Sequence, residues 1–103
     1  MNTLRELQQW FTEQCNGDWE HQQGIIIESC DNPGWWVRID LANTSLQKQR
    51  FETISENIDI RGYPTSDEWL RCYIENGVWK GAGDINKLET ILEKFLSWAK
   101  TIV

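Results

Sequence analysis

Asp18, Glu20 and His21 place two carboxylates and the chain's one imidazole inside a single run, Gly17-Asp18-Trp19-Glu20-His21. Such residues can chelate a divalent metal or share general acid and base roles. Neither chemistry is assigned here. In an extended segment these neighbours point in different directions, and no HExxH motif or second ligand cluster completes a metal set. The plainer expectation is that Asp18 caps a turn after Asn16-Gly17 while Trp19 inserts into the core.

Nucleophiles give no stronger signal. Ser29, Ser45 and Ser55 lack a GxSxG elbow, and Cys15, Cys30 and Cys72 stand in neither a papain-like nor a caspase-like context. Cys30 and Cys72 read as buried structural thiols. Gly81-Ala82-Gly83-Asp84 superficially suggests a phosphate-binding turn before a helix. No lysine follows in the required place, and Asp84 would occupy the anion's position at the helix N-terminus. The expected role of these glycines is to let a strand bend into the helix. No catalytic residue, metal or cofactor is therefore assigned.

Sixteen acidic against ten basic residues give a net charge of −6, which disfavours nucleic acid or an anionic membrane as ligand and favours a basic partner. Three cysteines without a CxxC pair read as reduced thiols in a cytoplasmic protein. The polar, amphipathic start MNTLRELQQWFTEQC and the short aliphatic run Ile25–Ile27 point to neither a signal peptide nor a membrane span. A chain of 103 residues is expected to form one domain, residues 1–103.

Seven tryptophans must then be placed by that domain. The first helix is expected from Leu4 to Cys15, with Thr3 and Glu6 as a capping box and Leu4, Leu7, Trp10 and Phe11 as its apolar stripe. The last helix is expected to begin after Asp84 as N-cap and to bury Ile85, Leu88, Ile91, Leu92, Phe95, Trp98, Ala99 and Ile102. Between them the period falls to two. Trp35, Val37, Ile39 and Leu41 alternate with Trp36, Arg38 and Asp40, and the first set should face the core. Pairing Asp31 with Trp35, Ile27 with Ile39, Ile25 with Leu41 and Glu28 with Arg38 predicts an odd loop of three or five residues around Asn32-Pro33-Gly34.

Asn76-Gly77 predicts a two-residue type I′ turn that sets Ile74 opposite Trp79. Leu70, Cys72 and Ile74 then share the core face, and Trp69, Arg71, Tyr73, Val78 and Lys80 the other. A further strand is expected near residues 51–58 and a loop over 59–67. The fold class is α+β: an N-terminal helix, an antiparallel sheet of four to five strands built from two hairpins, and a C-terminal helix packed on one sheet face.

The other face carries Trp36, Arg38, Trp69, Arg71, Tyr73 and Lys80. The expectation is that the first helix covers it, with the basic side chains flattened along the indoles. The alternative is a binding surface, since aromatic residues and arginine anchor protein interfaces.

In order along the chain, GDWEH (17–21), GIIIES, DNPGWWVRIDL, TSL (44–46), the EWLRCYIENG hairpin, GAG and a final tryptophan-bearing helix resemble the immunity 53 family. The resemblance covers nearly the whole sequence. It implies an immunity protein of a bacterial polymorphic toxin system, a non-enzymatic cytoplasmic domain that binds and neutralises a cognate toxin by occlusion. Net charge adds a basic nuclease as the candidate toxin. On this view the partner-binding residues are Asp18, Glu20 and His21, Asp31 and Asn32 at the hairpin tip, and Trp36. Glu52, Glu56 and Asp59, or Asp67 and Glu68, are the substitutes. A competing reading is a small-molecule or peptide-binding module whose cleft is lined by Trp19, Trp36 and Trp69. An uncovered sheet face can also pair two copies of the chain.

Overall fold

The computed structural model describes Asn2–Ile102. In chain order the elements are α1 (Thr3–Gln14), α2 (Trp19–Gln22), β1 (Ile25–Cys30), β2 (Gly34–Asp40), β3 (Ile54–Glu56), β4 (Leu70–Glu75), β5 (Val78–Gly83) and α3 (Leu88–Thr101). The five strands form one sheet in the order β1-β2-β5-β4-β3, every neighbouring pair antiparallel. This is the expected α+β architecture, with a short second helix added.

The second hairpin has the predicted register. Asn76 and Gly77 take φ of 53° and 76°, the paired positive values of a type I′ turn, and Ile74 faces Trp79. In the first hairpin the pairing slides by two residues. Ile25 lies opposite Ile39, Ile27 opposite Val37 and Glu28 opposite Trp36, with Asp31-Asn32-Pro33 as a three-residue loop. A two-residue slide preserves every side chain's face, so the hydrophobic pattern alone does not select between the two registers. Gly34 decides it by entering the strand opposite Cys30, where its backbone packs against the Gly83 carbonyl and a Cβ would have no room.

The two long helices, α1 and α3, lie on one face. Val37, Ile39, Leu41, Leu70, Cys72 and Trp79 point from the sheet into a core closed by Leu7 and Trp10 of α1 and by Ile91, Leu92, Phe95 and Leu96 of α3. Edge-to-face contacts run through it without a break, Phe51–Trp79–Phe95–Trp10–Trp19, with ring centroids 5.0 to 6.1 Å apart. Each such pair adds about 0.5–1.5 kcal/mol beyond the area it buries. Three indoles also tie loops to the core, Trp19 donating to the Ala42 carbonyl, Trp35 to Ile85 and Trp98 to Arg50. The Trp79 indole N–H is buried without an acceptor among the described residues.

Several local expectations are corrected. Asn2, not Thr3, caps α1 by accepting the Arg5 N–H; Thr3 is buried, Glu6 pairs with Lys100, and Leu4 is exposed. Asp84 does not cap α3, which starts four residues later, and Ile85 is exposed. The buried Asp84 carboxylate instead accepts N–H bonds from Trp69 and Asn86 and pairs with Lys87 at 2.9 Å, locking the end of β5 to the start of β4. Gly81 and Gly83 serve close packing and not only a bend. A Cβ on Gly81 would strike Ile91 and stand 3.0 Å from the Trp79 ring, and one on Gly83 would stand 2.7 Å from the Lys87 Cβ. The strand expected over 51–58 shrinks to β3, and Ile27, on the free edge, is exposed.

Candidate functional site

The first helix does not cover the second sheet face. α1 packs beside α3, through Trp10 against Phe95, and leaves Trp36 53% exposed on the opposite side. Cross-strand pairing sets the geometry there. Trp36 of β2, Ala82 of β5 and Arg71 of β4 form one row, and Arg38, Lys80 and Tyr73 form the next. Trp36 and Arg71 are two strand spacings apart, about 10 Å, and between them Ala82 offers only a methyl group. The result is a cleft of about 350 Å³ walled by Trp36, Trp69, Arg71 and Tyr73 and floored by Gly81 and Ala82.

Its open side is narrowed by a loop, residues 57–65, which overlaps the loop expected over 59–67 but has internal order that the expectation did not include. Ile58 and Pro64 form an isolated bridge, the Asp59 N–H donates to the Tyr63 carbonyl, and the Thr65 N–H to Asn57. The Asp59 carboxylate accepts the Tyr63 and Arg61 N–H groups, and these donors, Tyr63 foremost, hold its carboxyl below the usual range. Gly62 lies against Arg71: a Cβ there would stand 3.6 Å from the guanidinium. Tyr63 lines the cleft's edge with most of its surface exposed, and Ile60 stands outside, fully exposed. Asp59, with Gly62 three residues later, carries the Asx-turn signal that could have shown this loop to be internally ordered.

The cleft is cationic within an acidic chain. Among the described residues neither Arg38 nor Arg71 has a carboxylate within ion-pair distance; Arg71 instead lies over the Tyr73 ring, 4.4 Å from its centroid. Lys80 pairs with Glu75 at 2.7 Å, and that bond foremost holds the Glu75 carboxyl below its ordinary value. Beyond Trp69 a second groove of about 450 Å³ continues past Asn32, Pro64 and Asp67.

The six residues singled out from sequence fall at two ends of the molecule. Asn32 and Trp36 line the cleft together, and Asp31 stands exposed beside Asn32 in the same loop. Asn32 also accepts from the Cys30 thiol at 2.9 Å, so Cys30 is half-buried at the tip and not a core thiol. Cys72 is a core thiol, its pKa raised by burial to about 12. Asp18, Glu20 and His21 lie near the far end of the β1–β2 hairpin, about 17 Å of strand from the tip. Asp18 is not a cap: Asn16 accepts the Asp18 and Trp19 N–H groups. Glu20 turns back onto the Asn16 and Gly17 N–H groups, and its carboxyl is held below the usual range by backbone donors, its own N–H foremost. Trp19 is buried in the core and takes no part in a cleft with Trp36 and Trp69.

Among the described residues no group of three or more His, Cys, Asp or Glu side chains could hold a metal ion, and no helix is long and apolar enough to cross a membrane. The class defined by this geometry is a two-layer α+β domain with α1 and α3 on one face and an aromatic, cationic cleft on the other. Comparison with known families narrows this further. The family described as Immunity protein 53 matches residues 4–100, and the chain belongs to that family. No curated protein and no solved structure matches it.

Proposed function

We propose that this immunity protein binds a cognate bacterial toxin and neutralises it by occlusion, without chemistry of its own, and that the uncovered sheet face is the surface that binds. The carrying observation is Trp36, an indole left half-exposed beside guanidinium groups that have no ion-pair partner among the described residues, although the fold buries four other tryptophans. Large aromatic residues and arginine over a cleft are the usual centre of a protein interface, and an apolar rim such as Ile60 and Tyr63 extends the contact area. Asp31 and Asn32 belong to this surface, whereas Asp18, Glu20 and His21 form a separate structured turn.

The net charge of −6 supports a partner that is basic overall, a nuclease being the candidate, because complementary fields raise association rates toward about 10⁸–10⁹ M⁻¹s⁻¹ at low salt. The setting would be the cytoplasm. Co-expression with the toxin encoded beside this gene is the test. Restored growth and co-purification are expected; a toxin that still kills and does not co-purify overturns the assignment for that pair.

A further inference from the structure

We propose that the cleft receives an acidic side chain of the partner, carried beside an aromatic or apolar residue, even though the chain as a whole is acidic. The proposal names the chemistry of the contact made by the surface assigned above and rests on that assignment for the partner's identity.

Three observations converge. Arg38 and Arg71 have no carboxylate within ion-pair distance among the described residues, and no Asp or Glu is among the residues that line the cleft. Arg71 is already oriented, its guanidinium stacked on Tyr73 and backed by Gly62, so little side-chain entropy is lost when it takes a carboxylate. Ala82 leaves open the space between Trp36 and Arg71, whose strands are about 10 Å apart, within a cleft of about 350 Å³ that can take an aromatic ring against the indole and a carboxylate against the guanidinium.

Nucleic acid would also offer rings and negative charge. It needs several phosphates neutralised along a track, and this cleft supplies two guanidinium groups without an ion-pair partner among the described residues and a lysine engaged by Glu75. The chain's net −6 would repel the remaining phosphates. The occupant is therefore a short acidic protein segment. Charge on the two scales does not conflict: the net charge steers a basic partner over separations up to about the Debye length, roughly 8 Å at physiological salt and longer at low salt, and the cleft selects one acidic element at contact.

The test is an NMR titration of the ¹⁵N-labelled full chain with three millimolar probes: a terminally blocked Asp-Glu-Phe-Glu-Asp peptide, its Lys-Lys-Phe-Lys-Lys counterpart, and a short oligothymidylate. The expected result is saturable shifts of the Trp36 indole and the Arg38 and Arg71 Nε–H resonances with the acidic peptide alone. Arg71→Gln should weaken that binding about tenfold, the effect of one charge-assisted contact, with the remaining spectrum unchanged as proof of folding, and Arg71→Lys should restore part of it. No saturable shift with the acidic peptide, equal shifts with the lysine peptide, or stronger binding of the oligonucleotide each overturns the proposal. Because no toxin is used, the result is independent of the co-expression outcome. A positive titration with failed rescue refutes the toxin assignment alone, and rescue with a negative titration refutes this inference alone.

Discussion

The two faces of the sheet use the same residue types for opposite ends. On the inner face Trp79 has no exposure at all and is gripped by Phe51 and Phe95, with Gly81 left bare so that α3 can approach. On the outer face Trp36, three positions before the fully buried Ile39, keeps half its surface in water across a bare Ala82 from Arg71. Small residues on β5 therefore do two jobs: glycine beneath the helix permits close packing, and alanine beneath solvent leaves a cleft. Aromatic content alone does not separate scaffold from site; what stands over each ring does.

The sharpest way to break this contrast is to truncate one indole on each face. Trp79→Ala should cost about 3–5 kcal/mol in urea unfolding, a loss large enough to unfold a marginal domain. Trp36→Ala should cost less than about 1 kcal/mol in the same assay. Equal losses would mean that the outer indole is scaffold too.

Gly81→Ala tests the packing claim directly. A methyl group driven into Ile91 and the Trp79 ring should lower stability by about 1–3 kcal/mol, whereas Ala82→Gly on the adjacent outer position should cost about 1 kcal/mol or less. A neutral Gly81→Ala in a thermal melt would show that α3 is not held that closely.

The Asp84 clasp joins the inner layer to the outer rim. Burial opposes ionisation of Asp84, but the Lys87 ammonium and the Asn86 and Trp69 N–H groups outweigh it and hold the carboxyl below its ordinary 3.8. A depressed folded value adds stability above pH 3.8 that is lost as pH falls through the folded value. Asp84→Ala, which strands the Trp69 N–H, should cost about 1–3 kcal/mol at pH 7. Asp84→Asn should flatten part of the acid limb of stability against pH; an unchanged limb would exclude the clasp as a contributor.

Much of the inner layer was legible from alternation and helical period, and Asn76-Gly77 specified its hairpin outright because the turn demands two positive φ values. The first hairpin's slide was not legible, since both registers bury the same residues and only the contact of Gly34 with a neighbouring strand separates them. The cap of α1 was misread by one residue because Asn2 and Thr3 are both good caps. The cleft was half legible. Alternation placed Trp36, Arg38 and Arg71 on one face, but whether a helix covers that face depends on long-range packing, here the seating of Trp10 against Phe95. Asp18, Glu20 and His21 illustrate the reverse: adjacent in sequence, they are used to fold a turn, with Glu20 spent on backbone N–H groups.

The central claim is that the outer face, not the turn at residues 17–21, meets the partner. The most direct measurement is the affinity of the co-purified toxin for two folded variants, Trp36→Ala and His21→Ala. Loss of about 2 kcal/mol or more, roughly thirtyfold in Kd, is predicted for Trp36→Ala with His21→Ala near wild type. Unchanged binding by Trp36→Ala, with the loss falling on His21→Ala, would contradict it.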